Sequence, residues 1–318
     1  MTRDTRTAVV SVGGNALSPE GEPASIENQF RHTRESLVPI VDFVCRGWRV
    51  AVVHGNGPQV GDALVRNECA RGRVSELPLG VLVASTAGWI GYMMQQSLQN
   101  ALRREGADRP VATLVTQVVV DRTEPEAMAP RKFIGRAVSR EVAAELEEEG
   151  ASLGRDGRGN LRRRVASPRP VRIVEAPLVR RLVADGCVVI AAGGGGTPVY
   201  EDAAGALEGL DVVVDKDLAA SLLAREIRAS TLLSLTDVDG VYEGWGGPEA
   251  RRIERLTASE ARAFLEAGEA GEGSMRPKLA AAVRFVEEGG ERARIAALEE
   301  AAAAMRGEAG TAIVPDRA

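Results

Sequence analysis

The sequence predicts a doubly wound α/β sandwich built on a mostly parallel sheet, and three observations carry that reading. Short β-branched runs alternate with longer segments of helical period, which is the sequence form of repeated βαβ units. Three of those runs end in glycine-rich turns, and open α/β sheets bind their ligands at the carboxyl ends of strands. The chain has 318 residues, 44% of them apolar, and a net charge of −5, enough to build one large core without disulfides.

Taken in order, the expected strands are Ala8–Val12, Val50–His54, Val111–Val120, Val188–Ala192, Leu232–Thr236 and Arg294–Leu298. In Ile26–Cys45, residues Leu37, Ile40, Val41 and Val44 fall at i, i+3, i+4 and i+7, a helix with one buried face. Further helices are expected at Gln59–Arg71, Leu79–Arg104, Ala176–Asp185, Asp215–Arg225, Ala258–Glu266, Pro277–Glu288 and Glu299–Arg306. The longest uncharged apolar stretch, Leu77–Leu102, contains Gly80, Gly88, Gly91 and a polar tail of glutamines. It reads as a buried helix and not as a membrane span. Residues 121–172 interrupt the alternation with Glu124-Pro125-Glu126, an acidic helix around Glu145–Glu149 and an Arg/Gly-rich stretch. So long a segment with little apolar content is expected to be an inserted lid within a single domain of residues 1–318.

Composition excludes several classes. Cys45, Cys69 and Cys187 are odd in number and widely spaced, and His32 and His54 are the only histidines. A disulfide framework or a transition-metal centre is not expected from that set. Residues 151–181 hold nine arginines against Asp156 and Glu175, yet no aromatic residue for base stacking, so no nucleic-acid partner is expected. The amino terminus runs from Met1 into Ala8-Val9-Val10 with no apolar signal core, so a cytoplasmic protein with no membrane partner is expected.

The glycine turns are the first chemical signal. Gly13-Gly14-Asn15 follows the first strand, Gly55-Asn56-Gly57 follows the second, and Gly193–Gly196 follows Val189–Ala192. Glycine there leaves backbone N–H groups free to converge on an anion, and the helix expected after Gly57 adds partial positive charge. Four glycines in a row cost chain entropy and contribute no packing, so the backbone itself must be needed bare. Neither a Walker A spacing nor a G-x-G-x-x-G form is present.

Lysine supplies the second signal. Lys132, Lys216 and Lys278 are the only lysines, against 37 arginines. A guanidinium cannot replace a compact ammonium where a point charge is required, so these three are candidate catalytic groups. Lys216 lies in Asp215-Lys216-Asp217, Lys278 follows Ser274-Met275-Arg276-Pro277, and Lys132 lies in the insert. Phosphoryl transfer between two anions needs positive groups of this kind around the moving phosphate.

With these residues in view, the chain resembles the carbamate kinases of the amino acid kinase superfamily. The segments that carry the resemblance are Gly13–Leu17, His54–Gly61, Asp215–Asp217, Thr236–Tyr242 and Gly273-Ser274-Met275 with Pro277-Lys278. The resemblance implies a homodimeric three-layer αβα sandwich with a protruding lid, transferring phosphate between ATP and carbamate to give ADP and carbamoyl phosphate. In catabolism of arginine or other carbamoyl compounds it would run toward ATP. It implies catalytic roles for Lys132, Lys216, Lys278 and Asp217, and substrate or phosphate binding by Gly13, Gly14, Asn15, Gly55, Asn56, Gly57, Gly194 and Gly195. Nucleotide contacts would come from Asp215, Thr236, Asp237, Val241, Tyr242, Ser274 and Met275. Mg²⁺ would enter on the nucleotide, held by phosphate oxygens and water, with no dedicated metal ligand in the protein.

Where the similar sequences usually read Pro-Thr-Lys-Pro-Ile-Gly-Pro, this chain reads Pro130-Arg131-Lys132-Phe133-Ile134-Gly135-Arg136. Arg276 and Ala87 also replace a usual small residue and a usual Gln. These departures motivate an alternative acceptor, another small carboxylate or a phosphonate. A nucleotide-binding regulator without turnover is the alternative from a different class.

Overall fold

The computed structural model describes residues 6–19, 21–123, 125–270 and 274–316. Residues 1–5, Glu124, Gly273 and the side chain of Asn15, all used in the sequence reading, lie outside that description. The chain begins with β1 (Thr7–Val12), the single turn α1 (Gly14–Leu17) and α2 (Ile26–Cys45), which Ser25 caps by accepting from Asn28 N. It continues through β2 (Arg49–His54), α3 (Gly57–Cys69), α4 (Leu79–Arg104), β3 (Val111–Thr113) and β4 (Gln117–Val120). Next come β5 (Lys132–Ile134), α5 (Arg140–Glu148), β6 (Leu153–Arg155), β7 (Leu161–Val165) and β8 (Pro170–Ile173). After α6 (Ala176–Ala184) and β9 (Val188–Ile190), a short turn of glycines leads to β10 (Thr197–Glu201) and β11 (Leu207–Gly209). The remainder is α7 (Lys216–Glu226), β12 (Thr231–Thr236), the hairpin β13 (Val241–Glu243) and β14 (Arg251–Ile253), β15 (Arg255–Thr257), α8 (Ala258–Glu266), α9 (Met275–Glu287), β16 (Arg292–Ala297), α10 (Ala301–Arg306) and β17 (Thr311–Val314).

Eight strands form the main sheet in the order β15-β17-β16-β12-β1-β2-β9-β3, parallel throughout except where β16 meets β17. Alternation along the strands divides the core in two. Val9, Ala51, Val189 and Leu232 face α6, α7 and α9, whereas Val10, Val52, Ile190 and Leu233 face α2 and α4. The result is a three-layer αβα sandwich, as expected. Val12 pairs with His54 on one side and with Leu235 on the other, so the turns that follow β1, β2 and β12 open on the same edge of the sheet.

The expected long strand Val111–Val120 is two strands in different sheets. Leu114–Thr116 leave the main sheet after β3, and β4 joins β11, β10 and β8 in a second sheet of four strands. Thr116 makes the junction, its hydroxyl accepting from Ala192 N. An unbroken apolar run carries no mark of a change of sheet. The last predicted helix begins at Ala301, two residues later than expected. Within residues 121–172, β5, β7 and β6 form an antiparallel sheet of their own with α5 beside it, while β8 belongs to the second sheet.

Candidate active site

All three lysines converge on two aspartates at the start of α7. Asp215 caps that helix, its Oδ1 accepting from Asp217 N at 2.9 Å and Leu218 N at 3.3 Å. Its Oδ2 is left for Lys132 Nζ at 2.6 Å. Asp217, the second residue of the helix and buried, accepts from Lys216 Nζ at 2.8 Å on Oδ1 and from Lys278 Nζ at 3.4 Å on Oδ2. Lys278 also donates to Ser274 O at 3.3 Å, one turn back in α9. Buried charges persist only when paired in this way.

Ser11 completes the group, and the sequence reading passed over it. Its hydroxyl donates to Asp217 Oδ1 at 3.0 Å from the middle of the sheet. Alternation explains the residue: Val10 and Val12 face α2 and α4, so Ser11 faces α7, where Asp217 stands. A hydroxyl inside the apolar run Val9–Val12 was the available signal.

The electrostatics follow from burial opposed by neighbours. Burial disfavours the Asp215 carboxylate, but the Lys132 and Lys216 ammoniums beside it hold the group well below the usual carboxylate range. Asp217 is also held low, burial being outweighed by Lys216 and Lys278. Burial and then the Lys216 charge pull Lys278 below the ordinary lysine value, against Asp217 and Asp215.

The glycine turns close around this group. A Cβ on Gly55 would stand 2.7 Å from Gly14 N and 3.1 Å from Lys216 Cδ, so the two turns and the lysine stem touch. Gly13 has room for a side chain, leaving Gly14 the constrained member of its pair. Asn56 is buried and donates through Nδ2 to Thr86 Oγ1 at 2.9 Å. Each of the four consecutive glycines has a blocked Cβ direction: His54 Nε2 at 2.4 Å from Gly193, Asn56 Nδ2 at 2.3 Å from Gly194, Val214 O at 2.3 Å from Gly195 and Val118 Cγ2 at 2.2 Å from Gly196. Ala87 presses on Gly193 in the same place. His54 is fully buried, and that burial pushes its imidazole down to about 4.

The sequence of the chain matches that of the amino acid kinase family over residues 6–297. The chain belongs to this family. This amino acid kinase is 40% identical to a carbamate kinase of Pyrococcus furiosus over 98% of its own length and 99% of the relative's. It is 43% identical to a carbamate kinase of Escherichia coli K12, with 97% and 99% covered. Among solved structures it is similar to the Giardia lamblia carbamate kinase bound to AMP-PNP, with a TM-score of 0.89, 34% identity, and 98% and 99% covered.

Other predicted residues of this amino acid kinase stand outside the lysine group. Thr236 ends β12, and its hydroxyl donates to Asp237 Oδ1 at 3.0 Å. Tyr242 lies on the separate β13–β14 hairpin, its hydroxyl donating to Asp239 at 2.9 Å and its ring edge-on to the exposed Trp245. Val241 turns its side chain into the core and donates its N–H to Thr311 Oγ1. Met275, the first residue of α9, packs on the core, and Ser274 is exposed just before it. Two of the departures noted in the sequence also have places. Phe133 alternates to the face opposite Lys132, with the Arg162 guanidinium 6.0 Å from its ring. Arg276 reaches back to Leu265 O at 3.4 Å.

Proposed function

We propose that this chain transfers a phosphoryl group reversibly between ATP and carbamate, and works as a carbamate kinase. The observation that carries the reading is the meeting of Lys132, Lys216 and Lys278 on Asp215 and Asp217 at the edge where β1 and β2 end in glycine turns. In the direction of ATP formation, the bond from phosphorus to the carbamate oxygen breaks as a terminal oxygen of ADP bonds to the same phosphorus. The charge on the moving phosphoryl needs fixed cations and no covalent intermediate.

Each residue then has a task. Lys216 and Lys278 stabilise the transferring phosphoryl, Asp217 orients both of them, and Lys132 bears on it from the opposite side, steered by Asp215. The bare amides at Gly13, Gly14, Gly55 and Gly57 hold the carbamoyl end with Asn15 and Asn56, and Gly194 and Gly195 shape the path between the substrates. Asp215, Thr236, Asp237, Val241, Tyr242, Ser274 and Met275 take the nucleotide, Val241 through its backbone. Both carboxylates beside the lysines are engaged by ammoniums, so Mg²⁺ comes with the nucleotide as part of that substrate. Residues 121–172 act as a lid over a single domain. Phe133, whose bulk motivated a larger acceptor, sits on the strand face away from Lys132, which supports carbamate.

The working unit is a homodimer joined through α4 and the open edge of β3. Val81, Tyr92 and Val115 are 47%, 56% and 52% exposed there, and a groove of about 430 Å³ runs between Tyr92 and Val115. Exposed apolar surface of this kind beside an open strand edge marks an interface. No helix among the described residues is long and apolar enough to cross a membrane. We assign the enzyme to the cytoplasm, where it consumes carbamoyl phosphate from arginine or other carbamoyl catabolism. The deciding experiment is ATP formation from ADP and carbamoyl phosphate with Mg²⁺. Turnover of roughly 1–100 per second is expected, and its absence from folded, nucleotide-binding protein overturns the reading.

A further inference from the structure

Arg136 lies four residues beyond Lys132, and its guanidinium bridges to two elements of the main body. Nη2 donates to Ser18 Oγ at 3.1 Å, and Nε stands 3.5 Å from Asp62 Oδ1. Ser18 closes α1, the turn that contains Gly14. Asp62 belongs to α3, whose first residue, Gly57, accepts from Gly135 N at 3.0 Å through its carbonyl. A Cβ on Gly61 would stand 2.0 Å from Gly135 Cα, so the two backbones are in contact directly beside Arg136.

We propose that Arg136 is a positioning residue that acts through Lys132, by clasping Asp62 and Ser18 while the lid is down. The inference takes the role of Lys132 from the reading above, whereas the clasp rests on geometry alone. The three-residue strand that carries Lys132 is paired only within its own small sheet, to β7. Besides the Lys132–Asp215 pair itself, it is docked on the body by the Gly135–Gly57 bond, Ile134 packed among Val60, Leu82 and Val83, and the Arg136 grip. The Arg163–Glu68 pair at 2.6 Å anchors β7 farther along α3. Of these, Arg136 alone joins the end of the lysine strand to both α1 and α3. Reaction geometry tolerates little freedom, a misplacement of about 1 Å costing on the order of a hundredfold in rate.

The test compares R136Q and D62N in the wild-type and K132A backgrounds. R136Q and D62N are each expected to lower kcat about tenfold with the KM for ADP unchanged, and R136K, which keeps the charge but not the fork, to recover part of the loss. In K132A the same substitutions are expected to cost nothing more. Hydrogen exchange at residues 132–136 is expected to quicken in R136Q with Tm unchanged. Wild-type kcat in R136Q, or an equal loss in K132A, overturns the proposal, because a merely structural residue would act in both backgrounds. If the wild-type protein makes no ATP, the carbamate kinase reading fails instead. The exchange arm then decides the clasp, with unchanged protection in R136Q overturning it.

Discussion

Lys132 Nζ lies 2.6 Å from Asp215 Oδ2, across 83 positions of sequence, while the other oxygen of the same carboxylate caps α7. One side chain therefore sets the start of a helix and holds the lysine of the small β5-β7-β6 sheet. Asp215→Asn keeps a good cap but loses the charge. It is expected to leave Tm nearly unchanged and to lower kcat by roughly tenfold or more. Asp215→Ala loses both and is expected to cost about 1 kcal/mol of stability besides, which thermal unfolding read beside the ATP assay resolves.

Lys216 and Lys278 share the buried Asp217 carboxylate. Lys216→Ala and Lys278→Ala are each expected to lower kcat about 10²- to 10³-fold, the scale of losing one preorganised charge on the developing anion. Lys278→Arg is not expected to rescue, since the residue is 5% exposed and a planar fork does not fit where an ammonium sits. Single-turnover rates of ATP formation check both statements.

Lys278 loses its proton at a lower pH than an ordinary lysine, whose value is 10.5, because burial and Lys216 disfavour its charge. Activity should therefore fall on the basic side as pH rises through the depressed value in the folded enzyme. A kcat profile that stays flat up to pH 10.5 contradicts this assignment.

His54 titrates at about 4 in the folded chain against 6.5 when exposed, because it is buried. The unfolded chain therefore takes up the proton first, and stability is lost as pH falls from 6.5 toward 4. The loss amounts to about 3 kcal/mol once both pKa values are passed. Denaturant unfolding at pH 7 and at pH 4 should show a smaller acid loss in His54→Gln than in the wild type.

Gly195 has φ +95° and a carbonyl where a Cβ would go. Gly195→Ala is expected to destabilise by about 2 kcal/mol or more, from the left-handed backbone and the clash together. A Tm within a degree of wild type would show that the glycine turn can yield.

The alternation of apolar runs with helical stretches was enough to read the sheet, because burial on both faces forces strands such as Val50–Val53 to be apolar. It misread Val111–Val120, since the switch between sheets at Leu114–Thr116 is made by backbone geometry and the Thr116 hydroxyl, neither of which alters the apolar pattern. The three candidate lysines stood out because arginine had taken every other basic position. Ser11 did not, since its meaning depends on which face of β1 looks at α7.

The period of the elements, the glycine turns and the singling out of three lysines among 37 arginines as candidates were readable from the sequence, because these are local properties of composition and spacing. Tertiary structure alone decided that the lysines share two aspartates, that Phe133 faces away from Lys132, and that Arg136 reaches Ser18 and Asp62. Those relations join positions 61 to 118 residues apart where they are long-range. They follow from parallel strands in register that bring distant turns to one edge, which no local pattern encodes.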